Sequence, residues 1–361
     1  MSIDYSARIA KLRAMMETND LAWLVVFGNA NVRYFGGYEP VIGDCMMILG
    51  DDGFKHLLIR FEWDASRVPD VFPAREIEAS YDFSHSVKTI MDGKCGKIGA
   101  AGLSLMPWAL YETLKTSSHD KVVSLDADCI RARLVKEPKE IELLGKAVQI
   151  TEGAMLDAFR FTKPGVSELE IAAVFEHGCK NRGAAELSFI SCVASGENSH
   201  HVAWLSSERA IQSNEALFLD VGARYHGYCA DVGRTWFTGK PEQSYLNMYK
   251  KMQVIQEELL AFIKPGMASI EPYEKVEALF KKNGLGIPRH RLGHGLGIET
   301  SMEGPDLKYG NEILEPNMCF AVEISHEGTH QGGIKIEDNV VLREHGVELL
   351  TRLPRELQII Q

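Results

Sequence analysis

Ala216-Leu-Phe-Leu-Asp220-Val-Gly222 is an apolar stretch that closes on an acid and a turn, and Tyr225-His-Gly-Tyr-Cys-Ala-Asp231 returns from that turn to a second acid. The first reads as a buried strand and the second as its antiparallel partner, which would bring both carboxylates onto one face. Aspartate is a poor strand former, and two carboxylates held side by side repel unless they share a proton or a cation. The pattern recurs downstream. Asn317-Met-Cys-Phe-Ala-Val-Glu323 is an apolar strand ending in an acid, and Gly333-Ile-Lys-Ile-Glu337-Asp-Asn carries an acid inside a strand.

Those pairs lie at matching places in a faint internal repeat. A helical stretch over 151–161 ends at Lys163-Pro164-Gly165, and another over 252–262 ends at Lys264-Pro265-Gly266, with the prolines 101 residues apart. Each Pro-Gly leads into a second helical stretch, 167–179 and 270–282, and then into a strand-rich region. The acids sit 56 and 67 residues beyond the first proline and 58 and 72 beyond the second. Lys-Pro-Gly alone is an ordinary helix ending, but the shared order of elements and acids favours duplication. Copies packed about a pseudo-twofold axis would converge four carboxylates at its centre, more charge than an interior holds without a metal. His294, between glycines in Leu292-Gly-His-Gly-Leu-Gly297, adds a reachable imidazole. Asp220, Asp231, His294, Glu323 and Glu337 together make a donor set for two divalent ions such as Mn, Fe, Co or Zn, which would activate water for hydrolysis. Taken singly, each acid is an ordinary strand-end charge and Gly-His-Gly an ordinary loop.

Upstream, Arg131-Ala-Arg-Leu-Val-Lys-Glu-Pro138 marks a boundary between residues 1–133 and 134–361, with Pro138 opening a helix over 139–161. In the first part, 8–17 has a helical period and 21–27 reads as a buried strand. Residues 45–49 and 56–59 read as strands paired across Asp51-Asp52-Gly53, and 97–101 and 122–125 as strands bracketing a helix over 107–115. Strands alternating with helices make an α/β layer domain, in which no chemical constellation is visible. The 361 residues carry 39 Lys+Arg against 50 Asp+Glu, a net charge of −11 without a basic block. That argues against nucleic acid and an anionic membrane as partners, and no run approaches the ~20 apolar residues of a membrane span. Seven cysteines (45, 95, 129, 179, 192, 229, 319) are scattered with no Cys-x-x-Cys pair. They suit reduced thiols, and with a start lacking an apolar signal core they point to the cytoplasm.

On these residues the chain resembles the pita-bread metallopeptidases: methionine aminopeptidase, Xaa-Pro aminopeptidase, prolidase and, by fold, creatinase. Asp220-Val-Gly and Gly227-Tyr-Cys-Ala-Asp231-Val-Gly-Arg-Thr235 are similar to the two-aspartate hairpin of that family. His294 is similar to its Gly-His-Gly-x-Gly histidine, Glu323 to its strand-end glutamate and Ile336-Glu337-Asp338 to its last ligand motif. Asn31-Val-Arg-Tyr-Phe35 and the Arg133, Lys136, Glu140-Ile141 connector resemble the creatinase/prolidase N-terminal domain and its junction. The resemblance implies an α/β N-terminal domain, an α+β pita-bread catalytic domain, a homodimer, and a hydrolase with two divalent ions that cleaves an Xaa-Pro peptide. By the same resemblance Asp220 and His294 are terminal ligands on different ions and Asp231 and Glu337 bridge. Glu323 would ligate one ion and relay a proton.

Four departures bear on the substrate. Family peptidases carry a proton-donating histidine seven residues after the glycine of a Gly-x-Asn loop, and after Gly196-Glu-Asn198 that position is Ala203, with His200 and His201 just before it. The histidine usual seven residues after His294 is Ser301, the proline usual after Glu323 is Ile324, and the arginine common in the last motif is Lys335. Either His200 or His201 takes over proton transfer near neutral pH, or both are plain loop residues. His326 and His330 read as pocket wall, and His330, Lys335 and Trp204 are the expected substrate contacts, although Trp204 equally fits an ordinary buried aromatic. His226 reads as exposed at a turn and Cys229 as packing. Three functions stay open: a dinuclear aminopeptidase or dipeptidase; a C–N hydrolase or lyase acting on a small metabolite, which the missing histidines favour; and a metal-stabilised scaffold without turnover.

Overall fold

Every side chain of Trp23-Leu-Val-Val-Phe27 is buried, as in a strand covered on both faces. In the computed structural model, which describes residues 3–92, 96–119, 121–288, 290–300 and 303–360, the chain divides into two compact units, Met1–Arg133 and Leu134–Gln361. The first unit holds strands β1 (Trp23–Phe27), β2 (Cys45–Gly50), β3 (Lys55–Ile59), β4 (Ile77–Ala79), β5 (Ile98–Ala101) and β6 (Val122–Ser124), ordered β4-β3-β2-β1-β5-β6. Strand β1 runs antiparallel to β2 and parallel to β5. The β2–β3 hairpin turns through Asp51-Asp52-Gly53, where Gly53 takes φ +90°, a conformation open to glycine. Helices α1 (Tyr5–Asn19), α2 (Asn29–Gly36), α3 (Phe83–Ile90), α4 (Trp108–Ser117) and α5 (Asp126–Leu134) complete it.

The second unit begins with α6 (Pro138–Phe161), whose start is fixed by Pro138 and by the Glu140 carboxylate accepting the Glu137 N–H at 2.9 Å. Helix α7 (Glu168–Asn181) has the reciprocal cap: Ser167 Oγ accepts the Glu170 N–H at 3.1 Å and the Glu170 carboxylate accepts the Ser167 N–H at 2.7 Å. Strands β7 (Glu186–Leu187), β8 (Cys192–Ser195), β9 (Ala216–Val221), β10 (Ala223–Tyr225), β11 (Tyr228–Cys229) and β12 (Val232–Thr238) follow. Then come α8 (Gln243–Phe262), α9 (Glu271–Asn283), β13 (Gly293–Gly295), β14 (Cys319–Thr329), β15 (Gly332–Arg343), β16 (Gly346–Leu349) and β17 (Gln358–Ile360).

Its large sheet is ordered β13-β14-β15-β12-β9-β8. Read from its two ends, that order is β8-β9-β12 meeting β13-β14-β15, so each half of the repeat contributes three strands and β12 pairs with β15 at the join. Helices α6 and α7 bury Val148, Met155 and Phe175 against Leu217, Leu219 and Trp236 of the first half. Helices α8 and α9 bury Met252, Leu259 and Phe280 against Phe320, Val322 and Val340 of the second. Gly165 (φ +95°) and Gly266 (φ +86°) make the same left-handed turn after the first helix of each copy.

The acid-bearing hairpin differs from its sequence reading. Strand β9 pairs with β12, Asp220 opposite Gly233, while β10 and β11 leave that sheet and form a small one with β7. Asp231 therefore lies in the short link before β12 and not inside a return strand. His226 is exposed at the β10–β11 turn with φ +46°. Cys229 is buried, and burial pushes its thiol up to about 12. Cys45, Cys129, Cys179, Cys192, Cys229 and Cys319 are free thiols, and Cys95 lies outside the described residues. Among the described residues no helix is long and apolar enough to cross a membrane.

Glu168, the fully buried first residue of α7, organises the loop after β8. One oxygen accepts from Ser195 N–H (2.8 Å) and Oγ (2.7 Å), the other from Ser207 N–H (3.1 Å) and Oγ (2.7 Å), and Asn198 Nδ2 reaches both at 3.1 and 3.2 Å. Glu168→Ala should cost about 3–5 kcal/mol, because several donors lose one charged acceptor. A urea midpoint within error of wild type would show that the loop does not depend on this carboxylate.

Candidate metal centre

Glu323, Glu337, Gly233 and Asp220 stand opposite one another in turn on β14, β15, β12 and β9. Directly opposed residues of antiparallel strands project to the same face, so three carboxylates and a glycine share one rung across the sheet. A methyl group at Gly233 would lie 2.9 Å from Glu337 Cβ and 3.0 Å from its Oε2, so glycine leaves the space that the Glu337 side chain fills. Asp231 joins from the link before β12. Its N–H donates to Asn339 Oδ1 at 2.9 Å, and Asn339 Nδ2 donates to its carbonyl, which fixes the link to β15. His294 lies on β13 opposite Ala321, with Nε2 3.3 Å from Asp231 Oδ2. A Cβ at the neighbouring Gly295 would fall 1.8 Å from the Gly304 carbonyl oxygen, so no other residue fits there.

All five residues are buried. Burial raises the Asp220 pKa to about 7 against the pull of Lys335, with Asp231 and Glu323 adding to the rise. Burial also holds Glu337 well above the usual carboxylate range, helped by Asp231 and Glu323. For Glu323 burial is outweighed by Lys335, His290 and His294, which keep it ionised. For His294 the penalty of burial is outweighed by Asp231, which raises its pKa. Four carboxylates thus face fewer cations than they need, and two of them hold their protons more tightly for that reason.

The residues fit divalent cations. Ligand atoms of Asp231, His294 and Glu337 lie within 4.8 Å of one another. Asp231 Oδ1 and Glu337 Oε2 are buried and accept no hydrogen bond among the described residues. Glu323 Oε2 accepts none in good geometry either, though Lys335 Nζ stands 3.0 Å away. Orphaned carboxylate oxygens facing an imidazole suit hard-to-borderline metal ions.

Two supporting groups escaped the sequence reading. The His290 side chain is 8% exposed, with Nδ1 3.6 Å from Glu323 Oε1 and Nε2 accepting the Ser325 N–H at 3.0 Å. Its only sequence signal is a position four residues before His294. Asp338 projects to the opposite face from Glu337, where Arg234 Nη2 and Arg355 Nε each donate at 2.6 Å and Gln256 Nε2 at 3.1 Å. That clamp holds β15 against β12 under the rung.

The expected substrate contacts separate. His330 lies at the end of the β14–β15 hairpin, its side chain 70% exposed and Nε2 3.2 Å from Glu242 Oε1, so it turns to solvent away from the acids. Lys335 points into the acid row, not into an open pocket: its ammonium contacts Asp220 and stands 3.0 Å from Glu323 and 3.8 Å from Glu337. Two residues of separation along β15 put it on the same face as Glu337. His200, His201 and His326 line a cavity of about 170 Å³ with Phe280, Ile287 and Ser325. Ser325 is two residues along β14 from Glu323, so the cavity adjoins the acids. His200 Nδ1 lies 2.6 Å from the Glu327 carbonyl oxygen, which orients its ring. His201 stacks on Trp204, ring centroids 4.7 Å apart, and the buried Trp204 Nε1 has no hydrogen-bond partner among the described residues. Ala203 is exposed, and Ser301 lies outside the described residues.

A repeated sheet with three buried acids in one rung, joined by Asp231 from the adjoining link and by His294, gathers the donor types that metallohydrolase centres use. The model of Metallopeptidase family M24 matches residues 142–344, more than half of the chain, and the Creatinase/Prolidase N-terminal domain matches residues 8–135. The chain belongs to metallopeptidase family M24 and is a peptidase of that family. An uncharacterized peptidase of Bacillus subtilis, YqhT, is 30% identical over 98% of this chain and 100% of its own. The Xaa-Pro dipeptidase of Pyrococcus furiosus is 28% identical over 97% of this chain and 99% of its own. The solved prolidase of Thermococcus sibiricus superposes with a TM-score of 0.90 at 26% identity, each chain covered in full. Membership of the family implies divalent metal ions, and the scaffold and small-metabolite alternatives are not favoured.

Two outcomes test the centre. Gly233→Ala should weaken Mn²⁺ binding about tenfold or more, since the new methyl displaces Glu337; unchanged affinity in a calorimetric titration would show that the rung tolerates it. Mn²⁺ added at about 100 Kd to chelator-treated protein should raise Tm by roughly 5–10 °C. Melting curves that coincide with and without the ion would mean that the acids do not bind it.

Proposed function

We propose that the protein is an Xaa-Pro dipeptidase that hydrolyses the peptide bond before proline in short peptides, with catalysis in residues 134–361 and residues 1–133 as its N-terminal domain. The observation that carries this reading is the single rung of carboxylates facing His294, set in a chain that matches Xaa-Pro dipeptidases from end to end. Asp220, Asp231, His294, Glu323 and Glu337 would hold two divalent ions drawn from Mn, Fe, Co or Zn, with Asp220 and His294 as terminal ligands and Asp231 and Glu337 shared. When bound, such ions supply Lewis acidity for hydrolysis.

The chain's own residues do the rest. Glu323, as the family resemblance implies, is the proton carrier that takes a proton from water and hands it to the departing proline nitrogen. His290, 3.6 Å from Glu323, keeps that carboxylate oriented. His200 and His201 are proposed to stand in for the histidine missing at Ala203, because both line the cavity beside Ser325. Trp204 backs His201 as a platform for the substrate. A homodimer goes with this reading through the family resemblance and a cytoplasmic location through the scattered free cysteines, and sedimentation velocity tests the dimer.

With Mn²⁺ supplied, the protein should cleave Xaa-Pro dipeptides at rates usual for enzymes, ~1–10³ s⁻¹. Glu323→Gln should lower kcat about 10²–10⁴-fold, and His200→Ala or His201→Ala about 10²-fold for whichever imidazole contacts substrate. Turnover of cyclic amidines or thioethers with no cleavage of Xaa-Pro peptides would replace this function with small-metabolite chemistry. Full activity in both histidine variants would remove them from the reaction.

A further inference from the structure

Strand β13 holds three residues, Gly293, His294 and Gly295, and pairs with β14 along one edge, His294 opposite Ala321. Glycines flank the histidine, so no neighbouring side chain of the strand anchors it, and its place is set by what presses on the backbone. Along the other edge lie residues 303–307. Asp306 forms an isolated bridge with His294, and the Leu307 N–H donates to the Gly293 carbonyl at 3.2 Å. A Cβ at Gly295 would meet the Gly304 carbonyl oxygen at 1.8 Å and that of Glu303 at 2.5 Å, and a Cβ at Gly297 would meet Glu303 Oε1 at 2.4 Å. Glu303 is itself held from behind. Its side chain is 2% exposed and that of Lys136 is 0% exposed, with Lys136 Nζ 3.5 Å from Glu303 Oε1 and donating to the Leu134 carbonyl at 3.2 Å. The Lys136 N–H donates to the Asn317 carbonyl at 3.0 Å and Val135 bridges Met318, which anchors the lysine just before β14. His294 Nδ1 lies 3.2 Å from the Gly295 carbonyl oxygen. A carbonyl only accepts, so Nδ1 carries a proton, and Nε2, 3.3 Å from Asp231 Oδ2, is the nitrogen turned to the acids.

Resting on the metal-centre reading above, we propose that the buried Lys136–Glu303 pair is a positioning device for His294. It holds Glu303 and Gly304 against Gly295 and Gly297. That contact fixes the Gly295 carbonyl, and the carbonyl fixes the imidazole with Nε2 toward the centre. The physical reason is that a metal-ligating histidine takes its tautomer and orientation from the partner of its other ring nitrogen. A buried ammonium and a buried carboxylate each need the other, so their mutual demand places the backbone between them and β13. Lys136 and Glu303 act through the Gly295 peptide and not as ligands. Loss of such outer support weakens metal binding about 10–100-fold.

Titration of chelator-treated, full-length protein with the diamagnetic ion Zn²⁺ tests the pair, read by calorimetry and by NMR of protein with nitrogen-labelled histidine. In wild type the ring signals that disappear in His294→Ala should show the proton on Nδ1 and the metal on Nε2; metal on Nδ1 would overturn the proposal. Lys136→Met should weaken Zn²⁺ binding about 10–100-fold and shift or broaden those ring signals, while Lys136→Arg, which keeps the charge, should stay within about threefold of wild type. A purely structural pair would lower Tm and leave the ring signals alone. Lys136→Met with a lowered Tm but wild-type ring signals and affinity would therefore overturn the proposal, as would an equal loss of affinity in Lys136→Arg. If Lys136→Met does not fold, Glu303→Gln is measured in its place with the same two outcomes. Equal Zn²⁺ affinity in His294→Ala and wild type would overturn the metal-centre reading itself, a result distinct from unchanged affinity in Lys136→Met.

Discussion

Like charges directly opposite on neighbouring strands destabilise a sheet, and here Glu323 faces Glu337 across β14 and β15, with Asp220 completing the rung beyond Gly233. That repulsion is tolerated only because cations answer it. Within the chain the answer is Lys335, whose ammonium lies against Asp220, Glu323 and Glu337 together. Even so, Asp220 and Glu337 hold their protons well above the usual carboxylate range, a sign that one ammonium is too little. The metal chemistry of the family and the pattern of charge in the chain are two views of the same imbalance.

The sheet keeps this charge on one face by alternation. Glu337 faces the acids, and Asp338, the next residue, faces the other way into Arg234, Arg355 and Gln256. A buried aspartate with two guanidinium partners is satisfied where it stands, so adjacent acids on one strand do opposite work: one is left wanting a cation and the other ties strands together. Glycines serve the same geometry. Gly233 yields space to the Glu337 side chain, and Gly295 lets β13 press against the Gly304 carbonyl so that His294 reaches Asp231.

The cavity beside the acids carries imidazoles, though not at the positions where the family resemblance expects them. Three histidines, His200, His201 and His326, line it, although the two positions where the family resemblance expects imidazoles are Ala203 and Ser301. The loop that carries the first two is held by Glu168, a buried carboxylate with no part in the rung. Placement of the cavity thus depends on a helix start in the first half of the repeat and on a strand in the second.

The repeat, its helices and all five candidate ligands were legible from the chain alone, because periodicity, Pro-Gly helix endings and acids at the ends of apolar strands are local signals. Five of the six strands of the first part were legible for the same reason, to within a residue or two at their ends, while the three-residue β4 carried no such pattern. Register was not: Asp231 falls in a link and β10–β11 swing into a second sheet, and nothing between Asp220 and Asp231 encodes the pairing with β7 that draws them there. Lys335 read as a substrate contact and His330 as pocket wall, yet one is buried among carboxylates and the other turns to solvent. His290 carried no usable signal, since its role comes from β14 passing beside it. Residue type and spacing state which groups can bear charge or bind a cation. Which of them meet is set by strand register and packing over separations of about 100 residues, such as Asp220 to Lys335, and those contacts exist only once the two halves of the sheet have joined.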